Sequence, residues 1–429
     1  MSKKTIQAFF ILSFTTALSK IFNIINRIIL SRLLGAGGFG LYTLIMPTLG
    51  LWMTLSQLSI PSAIFKLIAD PQYKNKKVMT TGFLITTVTT CFMMLLFTIF
   101  APFIANDMLK NVDTLLPLKS LILFIPLTSL SAVIKNYFLG KQQHKIIAKT
   151  QITEEVVRLA FTIAFLMIFT DYSLPALVTL AFIAMSLGEL SSIIHLCFYM
   201  KLTNKHELFD FSEPHLYFDF FRISLPLTGS RLLHSIASFL EPIIITTIFL
   251  SIGYQSTQIQ IEYGMMSGYV MSLITIPTFF TTVIYRILLP IFLEHIHNHQ
   301  HILKYLYTGL LVCFVIALPF TFIFYFFPKE CLSLLYNTTH GWEYLKYLSI
   351  PFTLFYLQTP LTALLQALDK NKTMFYISVV ECVLEVLLLI ILTPKFKILA
   401  IGITLLIGIS VTLILSAWHV YKALFQNKI

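Results

Sequence analysis

The sequence predicts an all-α polytopic membrane protein of about twelve transmembrane helices, arranged as two pseudo-symmetric six-helix bundles. Three observations predict it. The composition is 57% hydrophobic and 11% charged, with a mean hydropathy of +0.83, which leaves too little polar material to clothe a water-soluble surface of this length. Stretches of roughly 20 mostly apolar residues, enough to cross a hydrocarbon core of about 30 Å, recur along the chain. The widest polar gap, from Lys201 to Glu213, leaves six such stretches on either side.

In chain order, the first span covers 7 to 34. It is too long for a signal-peptide apolar core and carries Lys20 and Arg27, so it stays in the membrane. The second, 41 to 66, follows Gly35, Gly37 and Gly40. These match G-x-G-x-x-G, but a membrane helix precedes them where a dinucleotide site needs a strand. Basic residues Lys74, Lys76 and Lys77 separate it from the third, 79 to 103; the fourth is 115 to 138, the fifth 148 to 170 and the sixth 173 to 200. After the gap come 217 to 250, 262 to 292, 303 to 327, 344 to 367, 373 to 393 and 398 to 420. The first and seventh are long enough for a strong tilt or an interfacial turn. Prolines inside spans, such as Pro47, Pro126, Pro226, Pro242, Pro277 and Pro319, remove backbone donors and permit bends.

This divides the chain into an N-terminal bundle at 1–201, a linker at 202–216 and a C-terminal bundle at 217–429. An internal echo supports the division. Ser19, Lys20 and Asn23 in the first span correspond to Ser230, Arg231 and His234 in the seventh, and Pro126-Leu-Thr in the fourth to Pro360-Leu-Thr in the tenth. Both halves have the same parity, so the repeats are parallel and a cleft between them is the expected site.

The net charge of +11 would suit nucleic acid, but its distribution reads as topology. Lys74, Lys76, Lys77, Lys141, Lys145, Lys149, Lys201, Lys370 and Lys372 all fall on one side, and few basic residues fall on the other. That bias places both termini in the cytoplasm and makes nucleic acid no partner. The five cysteines, Cys91, Cys197, Cys313, Cys331 and Cys382, have no metal or disulfide spacing. His295, His297, His299 and His301 alternate in a loop with only Glu294 beside them; we expect no metal there and no cofactor elsewhere.

Ionisable groups at membrane depth cost at least a few kcal/mol each and therefore face a protein interior or a wet cavity. On the first helix Thr16, Lys20, Asn23 and Arg27 recur at steps that share one face. Two fixed cations there suit a diphosphate, with arginine offering a fork and lysine a point charge. On the seventh, Arg231, His234, Ser238 and Glu241 form a second stripe, open also to an internal Arg231 to Glu241 pair. Arg286 in the eighth span adds a cation. Glu154 and Arg158 are four apart and suit a structural helix pair. Glu189, Glu381 and Glu385 have no opposite charge within a turn of their own helices, which makes them candidates for proton or sodium coupling as well as for neutral hydrogen bonding.

The run Leu18-Ser-Lys20, Asn26-Arg27, Leu34-Gly35, Gly38-Phe-Gly-Leu-Tyr42 and Leu58-Ser-Ile-Pro61-Ser-Ala63-Ile-Phe-Lys66 resembles the opening of the polysaccharide transporters of the multidrug/oligosaccharidyl-lipid/polysaccharide (MOP) exporter superfamily, in its stage V sporulation protein B-like branch. Gln151-Ile-Thr-Glu154-Glu155-Val-Val-Arg158 is similar to the same family's fifth helix. The resemblance implies a MATE-like fold, alternating access, and a lipid-linked oligosaccharide or peptidoglycan precursor as cargo, its polyprenyl tail kept among membrane lipids. It makes Lys20 and Arg27 first-helix cavity cations and Glu154 and Arg158 fifth-helix charges. Such transporters usually have fourteen helices, two more than expected here. A monomeric flippase in the bacterial cytoplasmic membrane, and no enzyme, is the expectation. The rivals are a multidrug or cation antiporter of the same fold and a membrane enzyme polymerising lipid-linked glycans.

Overall fold

The first expected span and most of the second are one element, α1 (Lys3–Gln57), whose 55 residues are far more than the roughly 20 needed for one crossing. It divides at Gly35, where φ is 65° and ψ −177°. That combination is essentially restricted to glycine, and Gly35 thus turns one helix into two. A β-carbon at this position would meet no neighbour within 4 Å, so Gly35→Ala isolates backbone strain. We expect it to destabilise the protein by roughly 1–3 kcal/mol, read as a lower thermal unfolding midpoint of the purified protein. An unchanged midpoint would show that the division does not depend on glycine.

In this computed structural model the backbone is described for residues 3–203, 214–295 and 299–425, and side chains for 18–201, 215–295 and 301–424. Among the described residues every regular element is helical. After α1 come α2 (Ile60–Ala69), α3 (Asn75–Phe103), α4 (Leu115–Gly140), α5 (His144–Ile168), α6 (Leu174–Thr203) and α7 (Pro214–Ser251). Then follow α8 (Ser256–Tyr263), a π-helical turn (Gly264–Val270), α9 (Met271–Ile274), α10 (Thr278–Glu294), α11 (His299–Phe326) and α12 (Pro328–Tyr336). The chain closes with α13 (Trp342–Ser349), α14 (Thr353–Ala367), α15 (Asn371–Phe396) and α16 (Leu399–Phe425).

By length and composition alone, eight helices among the described residues can cross a membrane, or ten when two pairs bent by 47° each count as one span. Dividing α1 at Gly35 adds an eleventh. α5 is the twelfth: it is long enough, but its charged residues keep it from an apolar count.

The expected spans are less regular than their hydropathy. The second breaks at Leu58 and Ser59, with φ of 43° and 52°, because Pro61 lies in the first turn of α2, where proline's missing donor is tolerated. The eighth bends between α9 and α10 beside Pro277, and the tenth between α13 and α14 beside Pro351.

The chain packs as two units, Met1–Phe239 and Leu240–Ile429, with the boundary inside α7. In the first unit Ile64, Val78, Ile134, Phe138, Leu196 and Phe220 form a core of α2, α3, α4, α6 and the start of α7. In the second, Leu288, Phe292, Ile302, Leu364, Ile377 and Val420 do the same for α10, α11, α14, α15 and α16. Leu95, Ile99, Ile391 and Ile414 stay exposed, as residues solvated by lipid do.

Candidate functional site

α5 is the membrane helix that departs most from the apolar pattern, and what it does with its charges organises the first unit. Glu154, Glu155 and Arg158 are all buried. Their spacing folds Arg158 back along its own helix, Nη2 to Glu154 Oε1 at 2.7 Å and Nη1 to Glu155 Oε2 at 3.2 Å. The other Glu154 oxygen accepts from Lys135 Nζ of α4 at 2.6 Å, and Lys135 also reaches Glu189 Oε2 of α6 at 3.3 Å. Glu154 is therefore held between two cations. α6 comes close enough to complete the set because residue 188 is glycine: a β-carbon there would lie 3.1 Å from both the Arg158 side chain and the Glu154 carbonyl. The network joins three carboxylates to two cations.

Asn23 ties this network to the polar face of α1. Its Nδ2 donates to Glu155 Oε1 at 2.9 Å and to the Ser19 carbonyl at 3.0 Å, and its Oδ1 accepts from Arg158 at 3.5 Å. Lys20 is half-buried and Arg27 exposed, one helical turn on either side of Asn23. The side chain of Thr16, the fourth member of that stripe, lies outside the described residues. The polar face of α1 thus has one side chain, Asn23, fixed to the buried network, with a half-buried and an exposed cation on either side of it.

On α7, Arg231 donates from Nη2 to Ser62 Oγ of α2 at 3.3 Å. It borders a cavity of about 170 Å³ with Gly50, Thr54, Gln57 and Ser59. Ser235 shares a 2.9 Å hydroxyl contact with Thr54, and His234 is exposed. In the second unit Glu241 Oε1 accepts from Tyr263 Oη at 2.8 Å and from Ser267 Oγ at 3.4 Å. Tyr263 closes α8 and Ser267 lies within the π-helical turn that follows it. Arg231 and Glu241 thus each bind within their own unit. Glu385 of α15 is buried and near enough to Glu241 to interact electrostatically. Glu381 is half-buried one turn before it, and Arg286 is half-buried on α10.

Of the residues singled out from sequence, the structure brings together Asn23, Glu154, Arg158 and Glu189 in one network, and Glu241 with Glu385 in another neighbourhood. Lys135 was missed. Its signal was available, since a lysine inside the apolar span 115 to 138 needs a partner as much as any glutamate does. The hydrogen bond from Tyr263 had no sequence signal, because a tyrosine near a membrane end is ordinarily an interfacial anchor. Of the alternating histidines, the side chains of His297 and His299 lie outside the described residues. The ring of His295 packs on His301 and Tyr305, with centroids 5.5 and 5.1 Å away.

Residues 6–296 match the model of a family described as polysaccharide biosynthesis protein. Stage V sporulation protein B of Bacillus subtilis (strain 168) is 29% identical over 440 residues, covering 99% of this chain and 85% of that protein. Lipid II flippase MurJ of the same organism is 22% identical over 320 residues, 68% of this chain and 58% of that one. An inward-facing multidrug resistance MATE family transporter of the MOP superfamily superposes with a TM-score of 0.69 at 16% identity, covering 96% of both chains. At that identity the last likeness is one of fold.

Proposed function

The chain belongs to the polysaccharide biosynthesis protein family, and from that premise we propose that it is a flippase carrying a polyprenyl diphosphate-sugar across the bacterial cytoplasmic membrane by alternating access. The cargo is a lipid-linked oligosaccharide or peptidoglycan precursor. The observation that carries this reading is a pair of cations, the half-buried Lys20 and the exposed Arg27, on a membrane helix anchored through Asn23 to a buried ion network. A diphosphate headgroup entering a low-dielectric interior needs fixed positive charge; a sugar alone does not. The relationship to a protein named as a lipid II flippase supports the same cargo class.

In this reading Lys20, Asn23, Arg27, Arg231, His234 and Arg286 bind the headgroup while the polyprenyl tail stays in lipid. Glu154 and Arg158, already engaged with each other, serve structure. Glu189, Glu241, Glu381 and Glu385 are the candidates for exchanging a proton or sodium ion as the two bundles, 1–201 and 217–429, rock about the linker 202–216. Both termini are cytoplasmic and the working unit is a monomer. The cations disfavour a carrier of cationic drugs, which would require an acidic or aromatic cavity.

The test is transport by the purified protein in vesicles holding a fluorescent polyprenyl diphosphate-sugar, with a membrane-impermeant quencher outside. The expected result is an increase in the quenchable fraction beyond that of protein-free vesicles, with unchanged lipid on extraction. Protein-free behaviour, or a new covalent product, would overturn the proposal, the latter in favour of a glycan-polymerising enzyme.

A further inference from the structure

The transport reading leaves two cavities of the first unit unused, the larger between α2 and the first turns of α7 and the smaller between those turns and the segment that leads from α2 into α3. One, of about 420 Å³, is lined by Lys66, Tyr73, Asp219, Arg222 and an apolar wall that includes Pro226 and Leu227. The other, of about 150 Å³, shares Tyr73 and Asp219 and adds Lys74 and Lys77. The sequence builds this seam by helical spacing. Ser62 and Lys66 are four apart on α2, and Asp219, Arg222 and Pro226 recur at steps of three and four on α7. Ser62, which holds Arg231, is one turn from Lys66.

Two cations converge on the larger cavity. Lys66 and Arg222 are both exposed, and neither donates a hydrogen bond to another described residue. The carboxylate nearby is already occupied: Tyr73 Oη donates to Asp219 Oδ2 at 3.0 Å. That bond raises the pKa of the Tyr73 phenol above its ordinary value. Lysine and arginine facing one space repel each other unless an anion lies between them. The apolar wall beside them is suited to the hydrocarbon that adjoins a lipid's phosphate.

We propose that the Lys66–Arg222 cavity is a binding site for a phosphate group borne by a lipid, either the diphosphate of the cargo or the headgroup of an anionic phospholipid. Arg222 supplies the fork and Lys66 the point charge. Asp219, which lines the same cavity, sets an upper limit on affinity. Where the ligand is the cargo, the site is a waiting position one helical turn from Ser62 and Arg231; that step rests on the flippase reading, whereas the site itself does not.

The test uses the full chain in phosphatidylcholine nanodiscs, in a Lys20→Gln/Arg27→Gln background so that the first-helix cations do not contribute, with inorganic pyrophosphate as the probe. We expect saturable binding that Lys66→Gln with Arg222→Gln weakens by at least about tenfold, in line with the loss of charge-assisted hydrogen bonds. Lys66→Arg should retain it. Asp219→Asn leaves an oxygen for Tyr73 and removes the opposing charge, so it should tighten binding by roughly two- to fivefold. Binding unaffected by the double substitution, or weakened by Asp219→Asn, overturns the site. Competition by phosphatidylglycerol assigns it to a phospholipid headgroup; competition by undecaprenyl diphosphate alone assigns it to the cargo. The flippase reading fails separately, if the protein with its native cations binds the probe yet flips no lipid-linked sugar.

Discussion

Replacing Lys20 and Arg27 together by alanine is expected to reduce flipping of a polyprenyl diphosphate-sugar by at least about a hundredfold, since each hydrogen bond to a charged group is worth roughly 1.5–3 kcal/mol. The protein should remain folded. Neither side chain belongs to the buried set of Glu154, Glu155, Arg158 and Glu189, and Asn23, which links α1 to that set, is retained. The measurement pairs the vesicle assay with a thermal unfolding midpoint. Lost transport with a midpoint near that of the native protein meets the expectation. Retained transport would remove the two residues from the headgroup path, and lost transport with a collapsed midpoint would make them structural.

Arg158→Ala should give the opposite pattern, a large loss of stability. The guanidinium pairs with two carboxylates at 2.7 and 3.2 Å, and deletion leaves Glu155 with no cation among its hydrogen-bond partners while Glu154 keeps only Lys135. Removing one partner of a buried ion pair typically costs about 3–5 kcal/mol, although the intact pair contributes little net stability against an apolar replacement. Arg158→Lys keeps the charge but not the two-pronged geometry, so it should fall between the native protein and the alanine variant. Unfolding midpoints of the three proteins, solubilised side by side, decide the matter. If Arg158→Ala matches the native protein, Lys135 alone suffices to hold the carboxylates.

These two outcomes also separate what the charges on α1 and α5 are for. From sequence they looked alike, as ionisable groups at membrane depth. Their difference lies in the neighbours: Glu154 and Arg158 are buried in one network with Lys135 of α4 and Asn23 of α1, whereas Lys20 is half-buried and Arg27 exposed on α1. Helical spacing says which residues share a face, but not what that face meets.

Much of the architecture was legible. Hydropathy located the helices because lipid forces each span to satisfy its own backbone hydrogen bonds and to expose apolar side chains, and both requirements are local. The run from Leu18 to Lys66 carried the family, as the match over 6–296 shows. The breaks were less legible. Leu58 and Ser59 adopt positive φ inside an apolar run, and the two bends of 47° leave hydropathy almost unchanged.

The sequence by itself determined that this is a multi-pass α-helical membrane protein of a polysaccharide biosynthesis family and which charged residues needed an explanation, because burial in lipid constrains every span separately. Only the tertiary structure decided that Lys135 and Glu189 complete the α5 network, that Tyr263 serves Glu241, and that Lys66 and Arg222 share a cavity with a Tyr73–Asp219 pair. Those partners are distant in the chain, and their meeting depends on how helices pack: on Gly188 admitting α6 against α5, and on α2 and the start of α7 bordering one cavity.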